Sequence, residues 1–373
     1  MKIVADRNIP LLDELFGQHG EIHRLNGRDI SRSDLMGADA LLIRSVTHVN
    51  QQLIQKTGVR FVGSATIGTD HLDIVWLEAG NIPWAYAPGC NADAVAQYAL
   101  AMMWLSCERL DQDFFAQTVG IIGRGNVGGR LQRLLAILNI PVESCDPPLH
   151  DAGEQHLVSM QQACANRIVS LHVPLTRSGK YPTAELFDHR QLSRLDPGTL
   201  LVNTARGGII EKSGLQDQLQ TKRIHAALDV WPDEPFIDSA FVEAVSVATP
   251  HVAGYSIEGK RAGTEMIYRE FCKAFSLQAA STPQFERGNI STDLTNIGQI
   301  TKAIKIAVQA SCLIARDDAT LRNTTHSTPG DDRIQIDSLR ANYTPRQEFS
   351  SHSLRVNKQL DTTALRQLGF NCI

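Results

Sequence analysis

The chain lacks several features that would each have pointed to a particular kind of partner. Basic residues are not in surplus: Lys plus Arg number 36 against 40 Asp plus Glu, a formal net charge of -4, so there is no electrostatic footprint for nucleic acid. Long apolar runs are missing too. The most apolar stretch, Tyr98 to Cys107, is far shorter than the roughly 20 residues that span a bilayer, and no membrane span is expected. Seven cysteines, at 90, 107, 145, 164, 272, 312 and 372, form no close pair, which fits reduced thiols better than a disulfide framework or a zinc site. No metal site is expected. Charge arrives at Lys2, Asp6 and Arg7, too early for a signal-peptide core, so a cytoplasmic protein is expected.

What is present is the composition of a globular protein, 43% apolar and 20% charged, with room for large cores. At roughly 150 residues per domain, 373 residues suggest two domains and a remainder. The first ninety residues alternate buried strand candidates with polar loops: Lys2 to Ala5 before Asp6, Ala40 to Ile43 before Arg44-Ser45, and Arg60 to Gly63 before Ser64 to Asp70. This is an α/β layer. Asp93 to Arg109 reads as a helix with an apolar face through Val95, Ala99, Met102, Met103 and Ser106, and a boundary is placed near residue 90. From 118 to 252 strands recur strictly, at Thr118–Ile122, Val142–Cys145, Arg167–Val173, Thr199–Asn203, Ala226–Val230 and Val245–Ala248. Their crossovers suit a doubly wound parallel sheet, in which ligands sit beyond the carboxyl ends of strands.

The residues at those ends carry the chemistry. After the first strand of this sheet comes Gly123-Arg124-Gly125-Asn126-Val127-Gly128, a Gly-x-Gly-x-x-Gly run opening a helical stretch from Gly129 to Leu138. Gly123 permits the tight turn, Gly125 lets backbone approach a pyrophosphate, and Gly128 lets helix pack on strand; Asn126 and Val127 are counted with them as cofactor-binding. A bare glycine-rich turn is the alternative. The second strand decides against it by ending in Asp146, 18 residues after Gly128, where a carboxylate binds ribose hydroxyls and repels a 2'-phosphate. Pro147-Pro148 follow and supply no cation, so NAD is favoured over NADP.

Later strands end in His172-Val173-Pro174, Asn203-Thr204-Ala205-Arg206-Gly207, Asp229-Val230-Trp231-Pro232-Asp233-Glu234 and Thr249-Pro250-His251. Oxidising a 2-hydroxy acid needs a group to hold the carboxylate and a base for the hydroxyl proton. Arg206 has the fork geometry for the first, His251 the titration range for the second, and Glu234 can orient the ring. Taken singly, Arg206 reads equally as a surface ion-pair residue, and Glu234 and His251 as loop residues. Their convergence on one sheet edge favours catalysis. His71, His156, His172, His189 and His225 lack such company and read as structural, surface or at most cofactor-adjacent.

On these residues the chain resembles the D-isomer-specific 2-hydroxyacid dehydrogenase family over roughly residues 1 to 280. The resemblance implies catalytic roles for Arg206, Glu234 and His251, a Rossmann-like doubly wound NAD domain at 93–255, and a flavodoxin-like α/β substrate domain at 1–92 completed by 256–284. The active site is expected in the cleft. A closer set of matches resembles a branch of the family acting on a small phosphorylated 2-hydroxy acid. They are Ala5 to Pro10, Ile43 to Thr47, Ala65 to His71, Ala87 to Ala92 and Gly254 to Lys260. That branch implies substrate contacts at Ser45, Thr66 and Tyr255 and NAD contacts at Asp146, Asp229 and Gly254. Arg44 joins them as a phosphate partner, with a strand-end salt bridge as its alternative. The chain departs from the family at Val173, where a threonine is common, leaving a backbone contact to the cofactor, and at Glu211, where aspartate is usual.

The tail, 285–373, exceeds what the reaction needs. Ile297, Ile300, Ile304, Val308 and Cys312 form an amphipathic stripe that packs on its own chain or on a partner. Asn323 to Asp332 reads as a loop, and Ile334–Tyr343, Ser353–Val356 and Thr362–Leu368 as a small α/β module. The run Leu339 to Phe349 resembles the C-terminal dimerisation module of that branch, implying a homodimer. Two other readings fit parts of the pattern: another member of the family, such as a phosphoglycerate dehydrogenase, and an NAD-sensing corepressor built on the same fold.

Overall fold

A computed structural model describes residues 1–284, 291–325 and 333–373. The chain divides into two compact units, Met1–Asn91 with Ser256–Arg287, and Ala92–Tyr255 with Gly288–Ile373. In the first, β1 (Lys2–Asp6), β2 (Glu21–Leu25), β3 (Ala40–Ile43), β4 (Phe61–Ser64) and β5 (Trp84–Tyr86) form a parallel sheet in the order β2-β1-β3-β4-β5. This is the flavodoxin-like order. The two-residue alternation of each strand feeds two cores. Ile3, Ala5 and Leu42 face the helix Ile257–Ala274 through Ile267 and Phe271, while Val4, Leu41, Ile43 and Val62 pack against Leu35, Ile54 and Leu77.

The second unit contains β6 (Val119–Ile122), β7 (Val142–Cys145), β8 (Ile168–Leu171), β9 (Leu200–Asn203), β10 (His225–Leu228), β11 (Phe236–Asp238) and β12 (Val247–Ala248). All but β11 join one parallel sheet, β12-β10-β9-β8-β6-β7. It is a Rossmann-like doubly wound sheet. The chain reverses direction of travel at β6, which has β7 on one side and β8 on the other, so a crevice opens at the carboxyl ends of β6 and β8.

The helix Ala92–Arg109 differs from its expected one-sided apolar face: it is buried around almost its whole circumference. One side lies on the sheet through Val119, Ile121, Val202 and Val247, and the tail covers the other through Ala303, Ile304, Ala307 and Val308 of the helix Ile300–Cys312. The sequence pattern reads amphipathic only if no further layer is assumed.

The tail adds β13 (Ser291–Leu294), β14 (Arg333–Gln335), β15 (Ser353–Val356) and β16 (Asn371–Cys372). β13, β15 and β16 form a small parallel sheet, whereas β14 pairs antiparallel with β11, so Ile334 serves the core of the large sheet rather than the small module. The helix Ile314–Thr325 continues into the start of the stretch expected as a loop, and the rest of that stretch, 326–332, lies outside the described residues, as does the expected boundary at 285. Among the described residues no helix is long and apolar enough to cross a membrane.

Polar contacts bind the tail as firmly as apolar ones. Arg346 is 5% exposed, and its guanidinium donates to the carbonyls of Ala94 (2.6 Å), Ala253 (2.6 Å) and Val252 (3.3 Å). Buried Asp317 accepts the hydroxyls of Tyr98 and Tyr343, each at 2.9 Å. Arg346→Ala strips the donor from three carbonyls and leaves the buried Asp317 without that neighbouring charge. It is expected to destabilise the protein by about 3–5 kcal/mol, measured as a fall in the midpoint of urea unfolding.

Candidate active site

The glycine run follows β6. Gly123 adopts a φ of 93°, and a Cβ there would lie 2.8 Å from Val173 Cγ1 and 2.9 Å from the His172 carbonyl, at the end of β8. Gly128 is pressed onto the turn, since a Cβ would come within 2.0 Å of Gly123 O, whereas a Cβ on Gly125 would meet nothing within 4 Å. Two glycines thus close the turn and the third leaves an open backbone face. The helix Asn126–Ile137 starts at Gly125 without a side-chain cap, and Asn126 and Val127 form its first turn. This end presents N–H groups and a positive dipole to an anion, so the loop fits a dinucleotide pyrophosphate.

At the end of β7, Asp146 accepts Arg124 N at 2.7 Å and Leu149 N at 3.1 Å, which aims its carboxylate beside the glycine turn. The sequence reading looked for a cation only after Asp146. Arg124, inside the glycine run, stands close by instead, and its guanidinium is engaged by Glu154 at 2.5 Å. Val173 packs against the sheet core and the Gly123 turn. Beside it His172 is held by Ser170 Oγ at 2.8 Å, and burial pushes its pKa down to about 3, leaving a neutral ring.

Beyond β9, Asn203 ties its own loop by donating to Arg206 O (2.9 Å) and accepting Ala205 N (3.0 Å). Gly207 must be small: a Cβ would lie 1.9 Å from Trp231 O. The Arg206 loop therefore lies directly against the loop that carries Glu234. Glu234 accepts Trp231 N at 2.8 Å through Oε1 and meets His251 Nδ1 at 2.6 Å through Oε2. Burial pushes the Glu234 carboxyl upward, but the adjoining imidazole, the two hydrogen bonds and the charge of Arg340 outweigh it, and its pKa ends below the ordinary value. An ionised Glu234 makes Nδ1 the donor and leaves Nε2 as the base.

His251 has a φ of 57°, unusual for a non-glycine residue. Asp229 holds that conformation. This fully buried carboxylate accepts Thr249 Oγ1 at 2.6 Å, Val252 N at 2.9 Å and Ala253 N at 2.9 Å, and Trp231 Nε1 donates to Thr249 O at 2.9 Å. Both Asp229 oxygens are thus engaged by the histidine loop, just before Gly254.

One contributor escaped the sequence reading. Arg340, from the tail, places its guanidinium carbon 5.9 Å from the Tyr255 ring centre and pairs with Asp337 at 3.7 Å. Its side chain is only 11% exposed, and its charge reaches Glu234. Tyr343, also from the tail, packs edge-on against Tyr255 at 5.9 Å. Both lie in the run from Leu339 to Phe349, whose resemblance to the C-terminal module of that branch is the signal the sequence offers for them.

In the first unit, Arg44 and Ser45 follow β3 and Thr66 follows β4, on the carboxyl edge of that sheet. Arg44 Nε donates to the fully buried Asp6 at 2.9 Å. Thr66 Oγ1 joins Ser64 Oγ at 2.9 Å, and Ser64 in turn joins His71 Nε2 at 2.8 Å. Glu211, past the site, accepts His189 N at 2.7 Å and Ser213 Oγ at 2.9 Å, and serves its own helix entry.

A dinucleotide loop and a carboxylate-held imidazole on one doubly wound sheet define an NAD-dependent 2-hydroxyacid dehydrogenase. The family described as D-isomer specific 2-hydroxyacid dehydrogenase, NAD binding domain, matches residues 92–253, and a domain of unknown function matches residues 287–369. The chain is 41% identical over its whole length to an erythronate-4-phosphate dehydrogenase of Hahella chejuensis, covering 99% of that protein. It is 42% identical to another from Marinobacter nauticus, with 99% of each covered. The chain belongs to the erythronate-4-phosphate dehydrogenase family. In fold it matches an NAD-bound 3-phosphoglycerate dehydrogenase of Entamoeba histolytica with a TM-score of 0.64, at 22% identity, over 74% of this chain and 95% of that one.

The Glu234 carboxylate accepts the Nδ1 hydrogen of His251 and so fixes the tautomer and orientation of the ring, which a neutral amide does less well. Glu234→Gln is expected to lower kcat for 2-hydroxy acid oxidation by about tenfold to a hundredfold. Steady-state rates at saturating substrate read the effect.

Proposed function

We propose that the chain oxidises C2 of 4-phospho-D-erythronate, giving (R)-3-hydroxy-2-oxo-4-phosphobutanoate, in the synthesis of pyridoxal 5'-phosphate. The 2.6 Å contact between Glu234 and His251 carries this reading, because it fixes one imidazole nitrogen and leaves the other as a base on the edge that bears the glycine loop. NAD, when bound, supplies the hydride acceptor at nicotinamide C4. Gly123, Gly125, Asn126, Val127 and Gly128 hold its pyrophosphate, Asp146 its ribose, and Val173, Asp229 and Gly254 complete its surroundings, Asp229 acting by shaping the loop before Gly254. Arg206 holds the substrate carboxylate and polarises the C2 oxygen. His251 Nε2 takes the hydroxyl proton as the hydride leaves C2, and Glu234 stabilises the imidazolium that results.

Ser45, Thr66, Tyr255 and Arg44 bind the remainder of the substrate. Residues 1–92 with 256–284 act as the substrate domain, 93–255 as the NAD domain, and 285–373 as the module through which two copies pair. Seven free thiols support a cytoplasmic location.

Purified protein with NAD and 4-phosphoerythronate should produce the absorbance of reduced nicotinamide. A flat trace beside good turnover of 3-phosphoglycerate would move the assignment to another member of the wider family. His251→Asn should lose at least about a hundredfold in turnover while retaining NAD affinity by fluorescence titration; near-normal turnover would remove His251 from the proton-acceptor role.

A further inference from the structure

Arg124 stands between the first two glycines of the turn after β6, and two different carboxylates hold its two ends. Its backbone N donates to Asp146 Oδ2 at 2.7 Å, and its guanidinium Nη2 donates to Glu154 Oε1 at 2.5 Å. The two acids belong to one short structure. Asp146 caps the helix Pro147–Asp151, accepting Leu149 N at 3.1 Å through Oδ1, and the chain turns back after that helix so that Leu149 O accepts Glu154 N at 3.0 Å. Gly153 makes this reversal with a φ of 89°. Leu149 thus ties both acids, and backbone hydrogen bonds set the spacing between Asp146 and Glu154.

The Arg124 side chain is 15% exposed and that of Glu154 51%. An ion pair with so exposed an acid contributes little to stability, so Glu154 is not what holds this loop in shape. It decides instead what the guanidinium is available for. In a doubly wound sheet a carboxylate at the end of the second strand accepts the ribose hydroxyls of NAD, whereas an arginine nearby accommodates the 2'-phosphate of NADP. This chain has both, one hydrogen bond apart. With Glu154 on the guanidinium, a 2'-phosphate arriving there has to displace that carboxylate, or lie beside it and Asp146 as a further negative charge. Asp151, at the end of the same short helix, holds Lys180 at 2.5 Å, so that cation is matched by an acid of its own.

We infer that Glu154 is a specificity-determining residue for the dinucleotide: it holds the Arg124 guanidinium in an internal ion pair and so keeps it from a 2'-phosphate. Asp146 without Glu154 would leave an unoccupied arginine beside the ribose, and Glu154 completes the preference for NAD. The inference rests on the role proposed above for Asp146 at the ribose and adds to it a second acid, acting through Arg124.

The test titrates NADH and NADPH by fluorescence into wild-type protein, Glu154→Gln, Arg124→Leu and the double variant, with no substrate present. The ratio of the two Kd values, NADPH over NADH, should fall by about tenfold in Glu154→Gln relative to wild type. In the Arg124→Leu background the same replacement should leave the ratio where it was, because the released guanidinium carries the gain. An unchanged ratio in Glu154→Gln overturns the inference. So does a fall of equal size in the absence of Arg124, which assigns the effect to general charge instead of to the ion pair. Asp146→Ser tests the ribose reading separately and should weaken NADH; if NADH binds as before, that reading fails by itself, and the comparison of Glu154 with Arg124 still decides the role of Glu154.

Discussion

The His251 ring reaches the Glu234 carboxylate because the chain from Thr249 to Ala253 is held in a shape that histidine rarely takes. A left-handed φ on a non-glycine residue costs on the order of 1–3 kcal/mol. Asp229 supplies the opposing force, with one hydroxyl and two backbone N–H groups converging on its two oxygens. Hydrogen bonds to a charged acceptor contribute about 1.5–3 kcal/mol each, enough to outweigh the strain even after the cost of burying the carboxylate. The ring is therefore aimed by the backbone before Glu234 touches it. A shift of the 249–253 loop would break the 2.6 Å contact without altering either partner, so the Glu234–His251 pair is only as well placed as the carboxylate beneath it.

The same loop ties the C-terminal segment to the chemistry. Arg346 holds the carbonyls of Val252 and Ala253 from one side while Asp229 holds their N–H groups, and Arg340 brings a buried charge to Tyr255 and Glu234. Residues nearly a hundred positions away in sequence thus complete the backbone hydrogen bonding of the histidine loop. The tail is consequently part of the packed core of the NAD-binding unit, contributing Leu321 and Ile334 to one face of the sheet and Ala303 to Val308 to the other. Whatever further surface it offers, its removal would expose both faces of that unit.

Much of this was legible in sequence where function and local geometry coincide. The glycine run, Asp146 and the strand-end position of Arg206, Glu234 and His251 each announce themselves, because a tight turn, a carboxylate closing the second strand and a strand end all leave short-range patterns. Long-range effects leave none. The helix Ala92–Arg109 reads as one-sided because the layer covering its other face comes two hundred residues later. Arg340 and Arg346 look like surface charges until the fold buries them, and Asp229 looks like a cofactor ligand until its oxygens are seen to be engaged by the loop. The antiparallel pairing of β14 with β11 is equally invisible, since neither strand is long enough to carry a periodic signal.

Charge placement follows from the same logic. A chain with a formal charge of -4 has no general attraction for anions, so an anionic substrate must be recognised by cations whose local partners leave them in excess. Burial makes that selective. Arg124 is matched by Glu154, Arg340 by Asp337 and Arg44 by the buried Asp6. Ion pairs that are satisfied within the protein hold its loops in shape.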